Sequence, residues 1–389
     1  MFETYIVSHL ADLVDGDIEE SLEAIQGTGA SGVTLVVSGA ARTHLRCQPA
    51  CNPRILRSRG GYYYQPDPSY YTETHLKPVA ASWVRHRQSL DRTVAACRQR
   101  NLKIRLRISA FEVGRVGDKH ADAAAKSVFG DVAAETLCPA NPDVRALLRG
   151  TVRELQERFT PDGIELNDVR YHSGALGFRG LAIGFDPGEG FLGLLGICFS
   201  ESSRQAAGER DIDTDAAARW VQVHLDKVLT SGRALDDSLS ELLRDAEIPR
   251  RYVLCQQDTL DALLVGLVRT ATCGVHLVLP GDGGDGVTPT IASIRTSAGI
   301  ILESDLECPD DAEANVKELR RRLGEDLDIT LDMDVAGELG GDAPELVATV
   351  KAAADHGASA VSFSEWGLMP ASRLAALKQG IRYAVRSSG

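Results

Sequence analysis

Acidic side chains recur at alternate positions in three short apolar runs: Glu165 in "GIELNDVRY", Glu303 and Asp305 in "GIILESDL", and Asp332 and Asp334 in "DITLDMDV". Successive side chains of a β-strand point to opposite faces. Ile164 and Leu166 share one parity, as do Ile300 with Leu302 and Ile329 with Leu331 and Met333; the acids therefore share the other, along with Asn167 and Thr330. By the same rule His276 of "GVHLVLPGD" and Arg105, Arg107 and Ser109 of "KIRLRISAF" point the same way as the acids. Any single deep carboxylate is explained by pairing with Arg105 or Arg107. Several of them converging on one opening suit glycosidic cleavage, in which one carboxyl protonates the leaving oxygen and a second attacks the anomeric carbon or activates water. Neighbouring carboxylates raise one another's pKa, which helps keep one protonated near neutrality. On this reading Glu165 is the general acid/base, Asp332 or Asp334 is the nucleophile or base, and no metal or cofactor is needed.

Two other readings use the same residues. Glu165, Glu303, His276 and Glu365 could hold Mn²⁺ or Mg²⁺ and polarise a sugar carbonyl, as in an isomerase or epimerase. Against that, Glu365 shares the parity of Val361 and Phe363, and His276 is equally well read as a core histidine. The other alternative is a non-catalytic sugar-binding descendant.

The elements that must position these residues alternate regularly. Strand-like runs at 3–10, 32–40, 103–111, 162–171, 274–282, 299–306, 328–335 and 359–366 are separated by helical stretches such as 17–30, 81–101 and 141–159. Eight such repeats without a composition break predict a parallel sheet closed as a (β/α)₈ TIM barrel, one domain over residues 1–389, with long loops after strands 2 and 4. The segment 250–268 begins like a strand, but "DTLDALLVGLVRTA" repeats at helical spacing and is assigned to a helix. "SGAART" after the second run is no Gly-rich phosphate fingerprint, which argues against a doubly wound sheet. In such barrels the site forms at the carboxyl ends of the strands.

"GYYYQPDPSYY" (61–71) concentrates Tyr62, Tyr63, Tyr64, Tyr70 and Tyr71 in a chain whose aromatic content is only 5%. Leaving the second strand at its carboxyl end, this loop is expected to fold over the mouth and offer ring faces to a sugar, with Trp366 stacking from the neighbouring side. His172, in the loop after the fourth strand, is a candidate ligand contact or proton shuttle. Arg107, Asn167, Glu303, Asp305 and Glu365 are further candidate substrate contacts, and His9 points inward at the end of the first strand.

A net charge of −13 disfavours nucleic acid and anionic membranes as partners; the converging acids make a small carbohydrate or glycoside the expected ligand. "MFETYIVSHLADLVDGD" has no basic n-region and no run is long enough to span a bilayer, so a cytoplasmic location is expected. The eight cysteines are scattered and read as small buried hydrophobes. Cys47 and Cys51, in "RCQPAC", lack a second pair to complete a zinc site.

The stretches "GGYYYQPDPSYYTETHLKP" (60–78), "LCPANPDVRALLRGTVRELQERFTPDGIELNDVRY" (137–171), "GICFSESSRQAA" (196–207) and "GASAVSFSEWGLMP" (357–370) together resemble bacterial glycoside-hydrolase-like TIM-barrel proteins, often labelled hypothetical glycosyl hydrolases. The resemblance implies a barrel with a carbohydrate site and matches Glu165 to that family's fourth-strand glutamate. The chain departs from the family in three places. Ser200 and Ser203 stand in "CFSESS" where the family carries cysteines; Ser38 and Gly39 replace Tyr-His; and Glu365 and Trp366 stand where Asn and Tyr are commoner.

Overall fold

Eight parallel strands close on themselves in sequence order: β1 (Glu3–His9), β2 (Gly32–Val36), β3 (Lys103–Ser109), β4 (Gly163–Asn167), β5 (Gly274–Pro280), β6 (Gly299–Ser304), β7 (Asp328–Asp334) and β8 (Ala360–Ser364), with β8 returning to pair with β1. The computed structural model describes residues 2–49, 51–84, 86, 88–114, 116–171, 181–280, 287–304, 308–335 and 343–387. Among the described residues, helices that follow the barrel strands include α1 (Ile18–Gln26), α2 (Ser89–Gln99), α3 (Pro142–Phe159), α4 (Glu247–Thr270), α5 (Pro309–Leu323), α6 (Ala343–Asp355) and α7 (Arg373–Ser387). This is the expected (β/α)₈ architecture, and the ambiguous 250–268 segment lies wholly within α4. Among the described residues, the β5–β6 crossover holds only the single turn Ile291–Ile294. No helix among the described residues is long and apolar enough to cross a membrane.

Local sequence explains where α3 starts. Asn141 caps it by accepting from the amides of Asp143 and Val144, and Pro142 occupies the first helical position, where a missing N–H costs nothing. Two antiparallel hairpins interrupt the repeat, Ser38–Leu45 with Ile55–Tyr62 and Ala124–Lys126 with Val132–Leu137. Between β4 and α4 the helices Glu189–Leu195 and Thr214–Ser231 pack with Tyr252 of α4 around their own apolar cluster, which includes Phe191, Leu194, Val221 and Leu225.

At the foot of the barrel, glycines make room for large polar rings. A β-carbon on Gly32 would lie 2.7 Å from the Tyr5 ring, and one on Gly299 would lie 2.8 Å from His276 Nδ1. The Arg105 guanidinium sits 4.0 Å from the centre of the Tyr5 ring.

The tyrosine loop corrects an expectation. Tyr62, Tyr63 and Tyr64 are 1–2% exposed and belong to the core; Tyr62 and Tyr64 turn toward the outer helix α3, while Tyr63 packs against His9 at the end of β1. The Tyr62 hydroxyl pairs with Thr151 of α3 at 3.1 Å, while Tyr64 and Tyr71 both donate to the buried carboxylate of Glu154, also on α3. The Asp67 amide donates to the other Glu154 oxygen at 2.7 Å, and Arg158 pairs with it as well. The loop thus packs on the outer helix. A phenol suits that role, because its ring fills the helix–loop gap while its hydroxyl needs only one buried acceptor.

Candidate active site

At the carboxyl ends of the strands one guanidinium gathers three carboxylates. Arg107 of β3 donates through Nε to Glu165 of β4 at 2.7 Å, through Nη1 to Glu303 of β6 at 3.1 Å, and through Nη2 to Asp332 of β7 at 3.0 Å. β3 and β7 lie on opposite sides of the barrel, so Arg107 reaches across the interior. Of the residues that parity assigned to the interior, Arg107, Glu165, Glu303 and Asp332 meet here. Arg107, however, is a clamp for the acids, 5% exposed.

The three carboxylates differ in setting. Glu165 is 1% exposed; its other oxygen accepts from Thr34 of β2 at 2.9 Å and lies 3.7 Å from Arg105. Burial pushes this carboxyl up, but the guanidinia of Arg107 and Arg105 outweigh burial and hold it below the ordinary range. A carboxylate kept ionised in this way is a poor proton donor and a good partner for a cation. Asp332 is buried and also accepts from Ser364 of β8 at 2.8 Å. Glu303 keeps 43% of its side chain open. Its carboxyl is pushed up to about 7, first by desolvation and then by the charges of Asp332, Asp168 and Glu165, against the pull of Arg107. Water reaching the open side tempers the size of that shift but leaves its direction.

Glu303 lines a small pocket of ≈ 40 Å³ with Asn167, Asp168, Arg170, Leu279 and Thr288. Asp168, which periodicity did not single out, has a left-handed backbone (φ 56°) and accepts from Ser109 at 2.7 Å. Asp and Asn tolerate that conformation better than most residues, so "ELND" at a strand end was the available signal. Asn167 caps the turn by accepting from the Asp168 amide at 2.8 Å. Asp334 stands exposed at the end of β7. Asp305 and His172 lie outside the described residues.

The other half of the mouth, at the ends of β1 and β8, is aromatic and cationic. The His9 ring lies 4.2 Å from Tyr63, 5.6 Å from Trp83 and 5.7 Å from His44. Its Nδ1 accepts from the Ala11 amide, and its Nε2 is buried with no hydrogen-bond partner among the described residues. Burial, with Arg42, His44 and Arg46 nearby, holds His9 well below the usual imidazole range and therefore neutral. Glu365 pairs with Arg42 at 2.8 Å, a contact supplied by a hairpin that the sequence reading missed. Trp366 is 1% exposed, so it packs in the core and does not stack at the mouth; Trp83, half-buried, is the open aromatic here.

His276 sits lower in the barrel, and burial followed by the charge of Arg105 pushes it down to about 4. Among the described residues, Glu165, Glu303, His276 and Glu365 do not form a set with metal-ligand spacing. Cys138 lies 3.9 Å from Cys198, 3.1 Å from Ser200 and 3.3 Å from Ser203, a buried cluster in which two hydroxyls take the places that the family resemblance gives to thiols.

No protein-family model matches the sequence, and no curated protein is significantly similar to it. Solved structures share its fold. The β-galactosidase of the psychrophilic Marinomonas ef1 superposes with a TM-score of 0.59 at 14% identity over 100% of this chain and 60% of that one. The PgaB (BpsB) glycoside hydrolase domain of Bordetella bronchiseptica gives 0.53 at 12% identity over 98% and 99%. The α-L-fucosidase isoenzyme 2 of Paenibacillus thiaminolyticus gives 0.55 at 11% over 100% and 50%. The chain thus spans about 60% of the galactosidase and half of the fucosidase. At these identities the likeness is one of fold alone, a closed (β/α)₈ barrel.

Proposed function

We propose that the chain is a glycoside-hydrolase-like enzyme acting on a small glycoside or glycosylated metabolite, with Glu303 as proton donor and Asp332 as the second carboxylate. The observation that carries this reading is Glu303: it is the carboxyl of the Arg107 cluster that opens onto the pocket and is raised to about 7. An acid with that pKa is half-protonated near neutrality, as a proton donor requires. Glu165, ionised and buried, holds Arg107 in place and acts as a positioning residue. Asp334 at the rim is the alternative second carboxylate, and Asn167, Asp168 and Trp83 are the substrate contacts. The fold neighbours, two of them named as a galactosidase and a fucosidase, support the reaction class. A binding-only descendant is the second reading, favoured by the same Arg107, which occupies the carboxylates a nucleophile would need free.

Glycosides with leaving groups of graded acidity separate the roles. E303Q should lower kcat/KM about 10²–10⁴-fold on alkyl glycosides, whose leaving oxygen needs a proton, and far less on dinitrophenyl glycosides, which leave without one. Equal loss on both would remove Glu303 from the donor role. Sugar binding with no turnover of any glycoside by the wild type would favour the second reading.

A further inference from the structure

Away from the Arg107 cluster, two crossover loops bring three ligand-bearing side chains together. His75 follows the short turn Pro68–Tyr71 in the β2–α2 connection; His120 and Asp122 follow the turn Val116–Lys119 in the β3–α3 connection. Their ligand atoms lie within 4.8 Å of one another, with His75 Nε2 3.7 Å from Asp122 Oδ2. The rings of His75 and His120 meet at 61° with centres 5.2 Å apart.

The surroundings hold these groups in place. Asp143, in the first turn of α3, accepts from the His75 amide at 3.0 Å through one oxygen and faces His75 Nδ1 at 3.0 Å through the other. That fixes the ring and turns Nε2 toward Asp122 and His120. A carboxylate behind the far nitrogen of a ligating histidine is the usual support for a metal-bound imidazole. Asn141, besides capping α3, donates to the Asp122 carbonyl at 3.3 Å. The first turn of α3 therefore sets both loops.

We propose that His75, His120 and Asp122 bind a divalent transition-metal ion of the Zn²⁺ class, with Asp143 as the positioning residue and a fourth coordination place left for water. Two imidazoles and one carboxylate suit Zn²⁺, Ni²⁺ or Cu²⁺ and offer too few oxygens for Mg²⁺ or Ca²⁺. Tetrahedral bonds of about 2.0–2.1 Å put neighbouring ligand atoms roughly 3.3 Å apart. The exposed side-chain tips reach that spacing by closing on the order of 1 Å. The competing explanation is a His75 ring held between Asp143 and Asp122 with no metal at all.

The test is Zn²⁺ titration calorimetry on untagged, chelator-treated protein at neutral pH in buffer containing Mg²⁺, together with thermal unfolding. Saturable binding of one equivalent is expected, with a Tm that rises with Zn²⁺ concentration. H75A and H120A should each abolish it, and D143N should weaken it about 10–100-fold. E303Q and the double variant C47S/C51S should bind as the wild type does, separating this site from the barrel mouth and from the closely spaced thiols of Cys47 and Cys51. No saturable Zn²⁺ binding, or binding that survives H75A and H120A together, would overturn the proposal and leave the ion-pair explanation.

Discussion

Glu154 and Glu165 stand on consecutive elements, both are buried, and each is met by arginine, yet their neighbourhoods lead to opposite roles. Glu154 accepts from two tyrosine hydroxyls, one backbone amide and Arg158. Its single charge is matched by a single cation and neutral donors. Around Glu165 the ratio is inverted: Arg107 serves three carboxylates, while Arg105, the second cation, also faces Glu3 at 3.8 Å. The cluster carries excess negative charge, and the member nearest solvent, Glu303, is the one whose carboxyl is pushed up, to about 7. A satisfied buried carboxylate builds structure; an under-neutralised group holds a proton ready to move.

Replacing the cation tests the contrast most severely. R107M leaves Glu165 and Asp332 buried without their partner and should cost about 3–5 kcal/mol by denaturant unfolding. Because Arg107 holds Glu165 below its ordinary value, that contribution is present at neutral pH and disappears as pH falls through the lowered pKa. The deficit of R107M should therefore shrink in acid. A pH-independent deficit would mean Arg107 contributes by packing alone.

E154L removes the acceptor of the tyrosine loop and should cost on the order of 2–3 kcal/mol, since some stranded donors regain water. The loss should appear in stability while glycoside binding and turnover stay unchanged. Altered turnover would return the tyrosine loop to the site.

E303Q should perturb folding least. The raised carboxyl pKa means that the stabilising contribution of Glu303 is complete below its unfolded value and lost as pH rises through about 7. The variant should thus match wild type in acid and become slightly more stable above pH 7, as followed by Tm across pH. Identical curves at all pH values would show the Glu303 carboxyl to be unstrained.

Most of the barrel was legible because its signals are local. Period-2 alternation assigned Glu165, Glu303 and Asp332 to one interior, and helical periodicity resolved 250–268 into α4. What failed depended on distant partners. The run "VVSGA" reads as one strand, yet the barrel strand ends at Val36 and a hairpin begins at Ser38, its register set by residues 55–62. The direction of the tyrosine loop was decided by Glu154 and Thr151 on a helix that had no sequence mark linking it to the loop. The different settings of the three acids depend on how Arg107 divides its three nitrogens among them, and spacing along a chain carries no record of that.

Helix α3 serves several neighbours at once. Its first turn orients His75 through Asp143 and holds Asp122 through Asn141, and its later turns anchor Tyr62, Tyr64 and Tyr71 through Thr151 and Glu154. Segments far apart in sequence thus share one support and belong to one cooperative unit: when α3 frays from either end, the loops around 62–77 and 120–122 lose their anchors together. Slow opening of this flank is a collective event, set by the free energy of one helix and not by the separate mobility of each loop.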